Sequence, residues 1–196
     1  MRYEDADQKK RDGVVYTPPA LATFIAERLL SWVDPDELTR RQSLTIYDPA
    51  VGDGALLFAL REALEANSSA PSSLCIRGGD IDAEALSLAK ARFERALASD
   101  SASPTASMSF EEVDFLTSPE VSGTHTVAPD LLIANPPYVR TQVLGAEVVA
   151  SLRERFGLTG RIDLSHAFLL RALEVLAPGG VAAIITSNRF MTVRAG

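Results

Sequence analysis

The sequence predicts an α/β protein: a mostly parallel sheet with helices on both faces. Three observations carry that prediction. Five short apolar runs recur along the chain, and helical patterns separate most of them. Each run leads into a polar residue, in order Asp48, Asp80, Asp114, Asn135 and Ser187-Asn188. A glycine loop follows the first run.

The elements follow in chain order. Residues 1–12 (MRYEDADQKKRD) are charged and lack apolar periodicity, so they read as a mobile arm, with one domain over 13–196. Thr17 reads as the N-cap of a helix opened by Pro18-Pro19 and running to about Trp32. Its apolar stripe is Leu21, Phe24, Ile25 and Leu29, and Trp32 reads as core. Asp34-Pro35 ends it, because the residue before a proline disfavours the helical region. The strands are Leu44–Tyr47, Leu74–Gly79, Met108–Val113, Leu131–Ala134 and Val181–Thr186. Helical spacing covers Ala55–Ala66, Ala83–Ala98 and Leu164–Leu176. Asn67–Ser73 and Asp100–Ser107 read as exposed loops. Glu147–Phe156 is helical and flanked by glycines; it reads either as a mobile cover over a site or as a plain connecting helix.

Composition narrows the function classes. At 46% hydrophobic and 23% charged, the 196-residue chain has the material for a core. Cys75 is the only cysteine, which excludes a disulfide framework and a cysteine zinc cluster, and it reads as a small buried strand residue. His125 and His166 are the only histidines; the first reads as solvated and the second as structural, so no metal site is expected. The polar N-terminus and the lack of a membrane-length apolar run point to a soluble, cytoplasmic protein. The net charge of -7 is unevenly spread. Residues 44–134 carry five basic and fourteen acidic side chains, net -9; residues 135–196 carry seven and four, net +3. Those seven are all arginine: Arg140, Arg153, Arg155, Arg161, Arg171, Arg189 and Arg194. Arginine suits phosphate, although surface arginines are commonly just solvated.

In an open α/β sheet, ligands sit outside the carboxyl ends of the strands. Asp48, Asp80, Asp114 and Asn135 should therefore converge on one crevice. The loop Asp48-Pro49-Ala50-Val51-Gly52-Asp53-Gly54 lacks the third glycine of a dinucleotide fingerprint. Asp48 and Asp53 put negative charge where a pyrophosphate would sit. That suits a cation instead, and S-adenosylmethionine has a sulfonium, an ammonium and no phosphate. Asp80 can accept from ribose hydroxyls, and Ile81 offers an adenine an apolar surface. Asp114 can accept from the adenine amino group, with Phe115 either packing nearby or belonging to the core. In Asn135-Pro136-Pro137-Tyr138 two prolines stiffen the chain. They hold the Asn135 carboxamide and the Pro136 carbonyl as fixed acceptors beside the ring of Tyr138. Two acceptors and a stacking ring suit a planar amine or amide. Accepting from both of its N–H groups favours a tetrahedral nitrogen and localises the lone pair for attack.

These motifs, in this order, resemble the gamma-class N6-adenine DNA methyltransferases, the TaqI-like group of restriction–modification systems. Gly13–Pro19 (GVVYTPP) is similar to that family's N-terminal cofactor motif, and Asp48–Gly54 to its glycine loop. Gly79–Asp82 (GDID) and Asp114-Phe115 match its ribose and adenine motifs, and Asn135–Tyr138 its catalytic motif. Asp163–Gly180 and Ile184–Phe190 look like the following helix and strand. The resemblance implies a Rossmann-like S-adenosylmethionine-dependent methyltransferase fold and methyl transfer to the N6 amino group of a flipped adenine in double-stranded DNA. It implies Thr17 near the methionine end of the cofactor, with Asp48, Ala50 and Gly52 on its amino-acid part. Asp80 would bind the ribose; Ile81, Asp114, Phe115 and Phe168 would bind the adenine. Asn135 and Pro136 would accept from the target amino group, Pro137 would stiffen the motif, and Tyr138 would stack on the extruded base.

The family's sheet continues past a fifth strand with an antiparallel pair, and a target-recognition domain follows. Their lack here implies a catalytic domain truncated after the fifth strand, working with a recognition domain or subunit. DNA is expected to approach the Arg-bearing side, with Arg140 and Arg189 nearest the site. Rival readings are a protein-glutamine N5-methyltransferase, an RNA methyltransferase, or a non-catalytic cofactor-binding fragment that needs a partner chain.

Overall fold

The computed structural model describes residues 16–66, 71–99, 105–118, 127–137, 146–158 and 164–186. Residues 1–12, expected to form an arm, and Tyr138, Arg140, Arg161, Arg189, Arg194, His125 and Ser187-Asn188 lie outside the described residues. The elements are α1 (Pro19–Leu30), α2 (Pro35–Arg40), β1 (Ser43–Asp48), α3 (Ala55–Ala66), β2 (Ser73–Asp80), α4 (Ala83–Ser99), β3 (Thr105–Glu112), β4 (Leu131–Ala134), α5 (Ala146–Phe156), α6 (Leu164–Val175) and β5 (Val181–Ile184).

The five strands form one sheet in the order β3-β2-β1-β4-β5, with every pairing parallel. Ile46 of β1 lies opposite Ile76 of β2 on one side and Leu131 of β4 on the other. The chain moves outward from β1 through β2 to β3, then returns to place β4 on β1's other flank. The order thus reverses between β1 and β4, where open α/β sheets form a crevice. Asp48 ends β1 and Asn135 follows β4, so both stand at that point.

Alternation in the central strands separates two cores. Ile46, Leu131 and Ile133 face a layer that includes Ala26 and Leu29 of α1, Leu57 and Leu60 of α3, and Phe93 of α4. Tyr47, Leu132 and Ala134 face the other layer, with Leu152 of α5 and Ala167 and Ala172 of α6. Burial on both faces explains why these strands read as continuous apolar runs. Each Leu or Ile so buried contributes roughly 1.5–3 kcal/mol.

The α1 region differs from the sequence expectation in three ways. Its buried stripe is Ala22, Ala26 and Leu29, whereas Phe24 is 55% exposed and Leu21 is also exposed. Alanines four residues apart let α1 approach α3 closely, so packing selected small residues over hydrophobic ones. The helix stops at Leu30, and Trp32, in the turn beyond it, is 78% exposed and not core. Asp34-Pro35 opens a helix here: the Asp34 carboxylate accepts from the Asp36 N–H at 3.0 Å, with Pro35 at the first helical position. Leu38 buries that short turn, and Arg41 beyond it pairs with Asp130. Asp130 also accepts from the Thr45 N–H at 2.8 Å, tying the start of β1 to the start of β4.

Three smaller corrections concern ends and burial. Thr105–Ser107 belong to β3, and Ser73 opens β2, although both stretches read as loop. Cys75 is half-buried. The α5 helix is docked through Leu152, which is fully buried, and this favours the connecting-helix reading. No described helix is long and apolar enough to cross a membrane.

Candidate active site

The loop after β1 turns on two glycines with positive φ, Gly52 at 52° and Gly54 at 81°. A side chain at Gly54 would also sit 3.2 Å from the Ala89 methyl of α4, so the residue permits both the turn and the close helix. The Gly52 N–H donates to Asp80 Oδ2 at 2.8 Å, and Asp80 Oδ1 accepts from the Asp82 N–H at 3.1 Å. Asp82 in turn accepts from the Glu84 N–H and caps α4. One carboxylate at the end of β2 thus braces the glycine loop and the turn into α4, with lone pairs remaining on both oxygens.

Asp48, Asp80, Asp114 and Asn135 do line one cavity of about 620 Å³. So do Thr17, Ala50, Gly52, Ile81, Phe115, Phe168 and Pro137. Pro136 is buried and does not line it, and Tyr138 lies outside the described residues. Ile81 is 69% exposed on the rim, while Phe115 and Phe168 are buried with ring centroids 5.1 Å apart. Phe115 also meets Tyr47 edge-on at 6.1 Å, so it serves the core and the cavity wall together.

Asp48 is 1% exposed and accepts from the Ala50 N–H at 3.0 Å. Burial pushes its carboxyl up to about 8; the Ala50 hydrogen bond opposes that rise and nearby Asp80 adds to it. That raised value favours the protonated Asp48 carboxyl at neutral pH. Asp53 pairs with Arg92 of α4 at 2.8 Å. This corrects the expectation of two free charges in the loop: one is held as an acid and the other is neutralised by a partner. Six acidic residues still line the cavity, namely Asp48, Asp53, Asp80, Asp82, Glu112 and Asp114, and none of its described lining residues is Lys, Arg or His.

Asp114 has committed its oxygens locally, to the Leu116 N–H at 2.9 Å and the Thr117 hydroxyl at 2.7 Å. It shapes the turn after β3, which closes one side of the cavity. That turn is held from behind by Arg171 of α6, only 1% exposed, which donates to the carbonyls of Phe115 and Ser118 and to Glu174. Arg155 of α5 reaches Leu116 O and Glu174 as well. Burial works against the charge of Glu174, but the two guanidiniums hold its carboxyl below the usual range. Two of the seven arginines considered for phosphate are therefore engaged within the fold. Composition counts such residues as surface charge, and only the fold reveals the carbonyls that they serve.

Thr17 is not the cap of α1. Pro18 occupies the N-cap position without a side-chain hydrogen bond, and the buried Thr17 hydroxyl accepts from Asn135 Nδ2 at 3.1 Å. Tyr16 also lines the cavity, with its ring 4.0 Å from where a Gly52 Cβ would stand. The sequence carries Tyr16 within GVVYTPP, but nothing local marks it as covering the glycine loop. Just before Asn135 the end of β4 is held in place, because Ile185 N–H donates to Ala134 O at 2.9 Å.

Comparison with known proteins agrees with this arrangement. The family model described as N-6 DNA Methylase matches residues 1–195. The type II methyltransferase M.BanIII of Aneurinibacillus aneurinilyticus is 34% identical over 96% of this chain and 33% of its own length. M.BstVI of Geobacillus stearothermophilus is 30% identical over 94% of this chain and 35% of its own length. The chain thus spans about a third of the length of these curated relatives. Among solved structures, the methyltransferase subunit of a type I restriction-modification system from Streptococcus thermophilus superposes with a TM-score of 0.60. It is 20% identical and aligns over 92% of this chain and 37% of that one, which shows a shared methyltransferase fold. With the Rossmann-like parallel sheet, the strand-end acids and Asn135-Pro136-Pro137 all in place, the chain belongs to the N-6 DNA methylase family.

Proposed function

We propose that this chain forms the cofactor-binding and catalytic part of an S-adenosylmethionine-dependent DNA methyltransferase that modifies the N6 amino group of adenine, within a restriction–modification or related system. The observation that carries the reading is the cavity's charge. Besides the protonated Asp48 and the Arg92-paired Asp53, it is lined by Asp80, Asp82, Glu112 and Asp114 and by no described cation, so it suits a cationic nucleoside and disfavours a dinucleotide pyrophosphate. The family match and the type II methyltransferase relatives support DNA as the acceptor.

In this reading the cofactor, when bound, supplies an electrophilic methyl group on its sulfonium. Asp80 accepts from the ribose hydroxyls with the lone pairs not used by Gly52 and Asp82. Ile81 and Phe115 flank the adenine, and Phe168 backs it. Asp48 faces the amino-acid part together with the loop backbone at Ala50 and Gly52. Asn135 and the Pro136 carbonyl accept from the target amino group, drawing its nitrogen towards tetrahedral geometry so that the lone pair can attack. Tyr138 stacks on the extruded base. Flipping is needed because N6 lies inside a paired, stacked duplex. Because the chain spans a third of its curated relatives, target recognition is assigned to a further domain or subunit.

Incubation with labelled S-adenosylmethionine and duplex DNA, followed by nucleoside mass spectrometry, tests the reading; a recognition subunit is supplied in one arm. The expected product is N6-methyladenine. Methyl transfer to cytosine, RNA or a protein glutamine would overturn it.

A further inference from the structure

We infer that Thr17 is a positioning residue that sets the orientation of the Asn135 carboxamide, an inference that rests on the proposed role of Asn135. The two residues are 118 positions apart, yet Asn135 Nδ2 donates to Thr17 Oγ1 at 3.1 Å. A threonine before a helix ordinarily caps it, but here Pro18 takes the cap position and leaves the Thr17 hydroxyl for Asn135. Pro18 and Pro19 fix the backbone around that hydroxyl, and Thr17 is itself buried, so the acceptor occupies a set position. On the other side, β4 and the two prolines after Asn135 fix the amide's root.

The chemistry needs this arrangement. A carboxamide has two heads of similar size, and only the oxygen can accept from a target amine. Engaging Nδ2 at Thr17 turns Oδ1 away from Thr17 and defines the plane of the amide. Rotation about the last side-chain torsion is otherwise broad. Tyr16, the preceding residue, has its ring 4.0 Å from where a Gly52 Cβ would stand, so adjacent residues reach the glycine loop and the Asn135 amide.

The test uses the chain's own asparagines, which number three: Asn67, Asn135 and Asn188. Selective ¹⁵N-asparagine labelling gives three side-chain amide pairs, and Asn135→Asp assigns one by its loss. In Thr17→Val, an isostere without the acceptor, the Asn135 pair should shift and exchange with solvent on the order of tenfold faster, as for loss of one hydrogen bond. Thr17→Ser should restore both properties. The dispersion of the backbone spectrum of uniformly labelled protein reports whether each variant is folded. An unchanged Asn135 pair in folded Thr17→Val overturns the inference, and so does a Ser variant that behaves like Val. Calorimetry with S-adenosylmethionine on the parent chain reports separately on the functional reading, so the two can fail independently.

Discussion

A single carboxyl, Asp48, couples the site to pH. Its folded value of about 8 lies far above the value near 4 of a free aspartate. Between those values the folded chain holds a proton that the unfolded chain has released. Linkage then makes the ligand-free fold lose stability as pH rises through that window. The contribution is complete below about pH 4 and gone above about pH 8. A cationic ligand reverses the balance locally, because a nearby positive charge favours the carboxylate. Binding of S-adenosylmethionine at about pH 7 should therefore release a fraction of a proton approaching one. Calorimetry in two buffers of different ionisation enthalpy measures it. Asp48→Asn should abolish the release and flatten the stability profile; parent protein that binds without releasing protons would remove Asp48 from the ligand's charged end. Sequence order alone marks Asp48 as a candidate. Its raised value was not legible there, because burial depends on the packed fold and the charge of Asp80 beside it comes from another strand.

At the scale of elements, local pattern and packing explain different amounts. Ala55–Ala66 and Leu131–Ala134 have the bounds that periodicity predicts, since an amphipathic helix and a doubly buried strand each leave a distinct pattern. The α2 turn was not legible, because Pro35–Arg40 contains one apolar residue and no period. The face of α1 was misassigned because hydropathy ranks Phe24 above Ala22, whereas close packing on α3 requires the reverse. Arg171 shows the same limit for charge. It is one of the last segment's cations by composition, yet it serves as a buried brace for the turn after β3. Arg171→Met removes the donor to the Phe115 and Ser118 carbonyls, while Glu174 keeps Arg155. It should cost roughly 1–3 kcal/mol of stability, as for leaving a buried polar group unsatisfied. Cofactor affinity should fall with it, because the Phe115 side of the cavity loses its support. Denaturant unfolding and ligand titration of the same variant check both; a loss below about 1 kcal/mol, the scale of an exposed pair, would mean that the brace is superficial.

For the whole molecule, the uneven charge of the sequence needs the fold to be interpreted. The acidic middle segment concentrates six of its acids at the strand ends, where they line a cavity. The arginine-bearing final segment has Arg155 and Arg171 engaged internally, so less of its charge is available to phosphate than its net +3 suggests. DNA binding by this chain alone should accordingly be weak and non-specific, with Kd on the order of 10⁻⁴–10⁻⁶ M at physiological salt, and should weaken steeply as salt rises. Fluorescence anisotropy with a labelled duplex at two salt concentrations measures this, and tight, sequence-specific binding would contradict it. Fold class, strand order of the motifs and the convergence of four strand-end residues were legible in the sequence, because each depends on local pattern plus the rule that ligands sit at carboxyl ends. The Thr17–Asn135 bond and the Arg171 brace were not, because each joins segments far apart in the chain.

The central claim is that the cavity between β1 and β4 is built for a cationic nucleoside without phosphate. Isothermal titration of the chain with S-adenosylmethionine and, separately, with NAD tests it most directly, repeated on Asp80→Asn. The account predicts one site for S-adenosylmethionine and no measurable heat from NAD. It also predicts that Asp80→Asn loses roughly 1.5–3 kcal/mol of affinity, the worth of a charge-assisted hydrogen bond. Binding of NAD in preference to S-adenosylmethionine, or an Asp80→Asn affinity equal to the parent's, would contradict it.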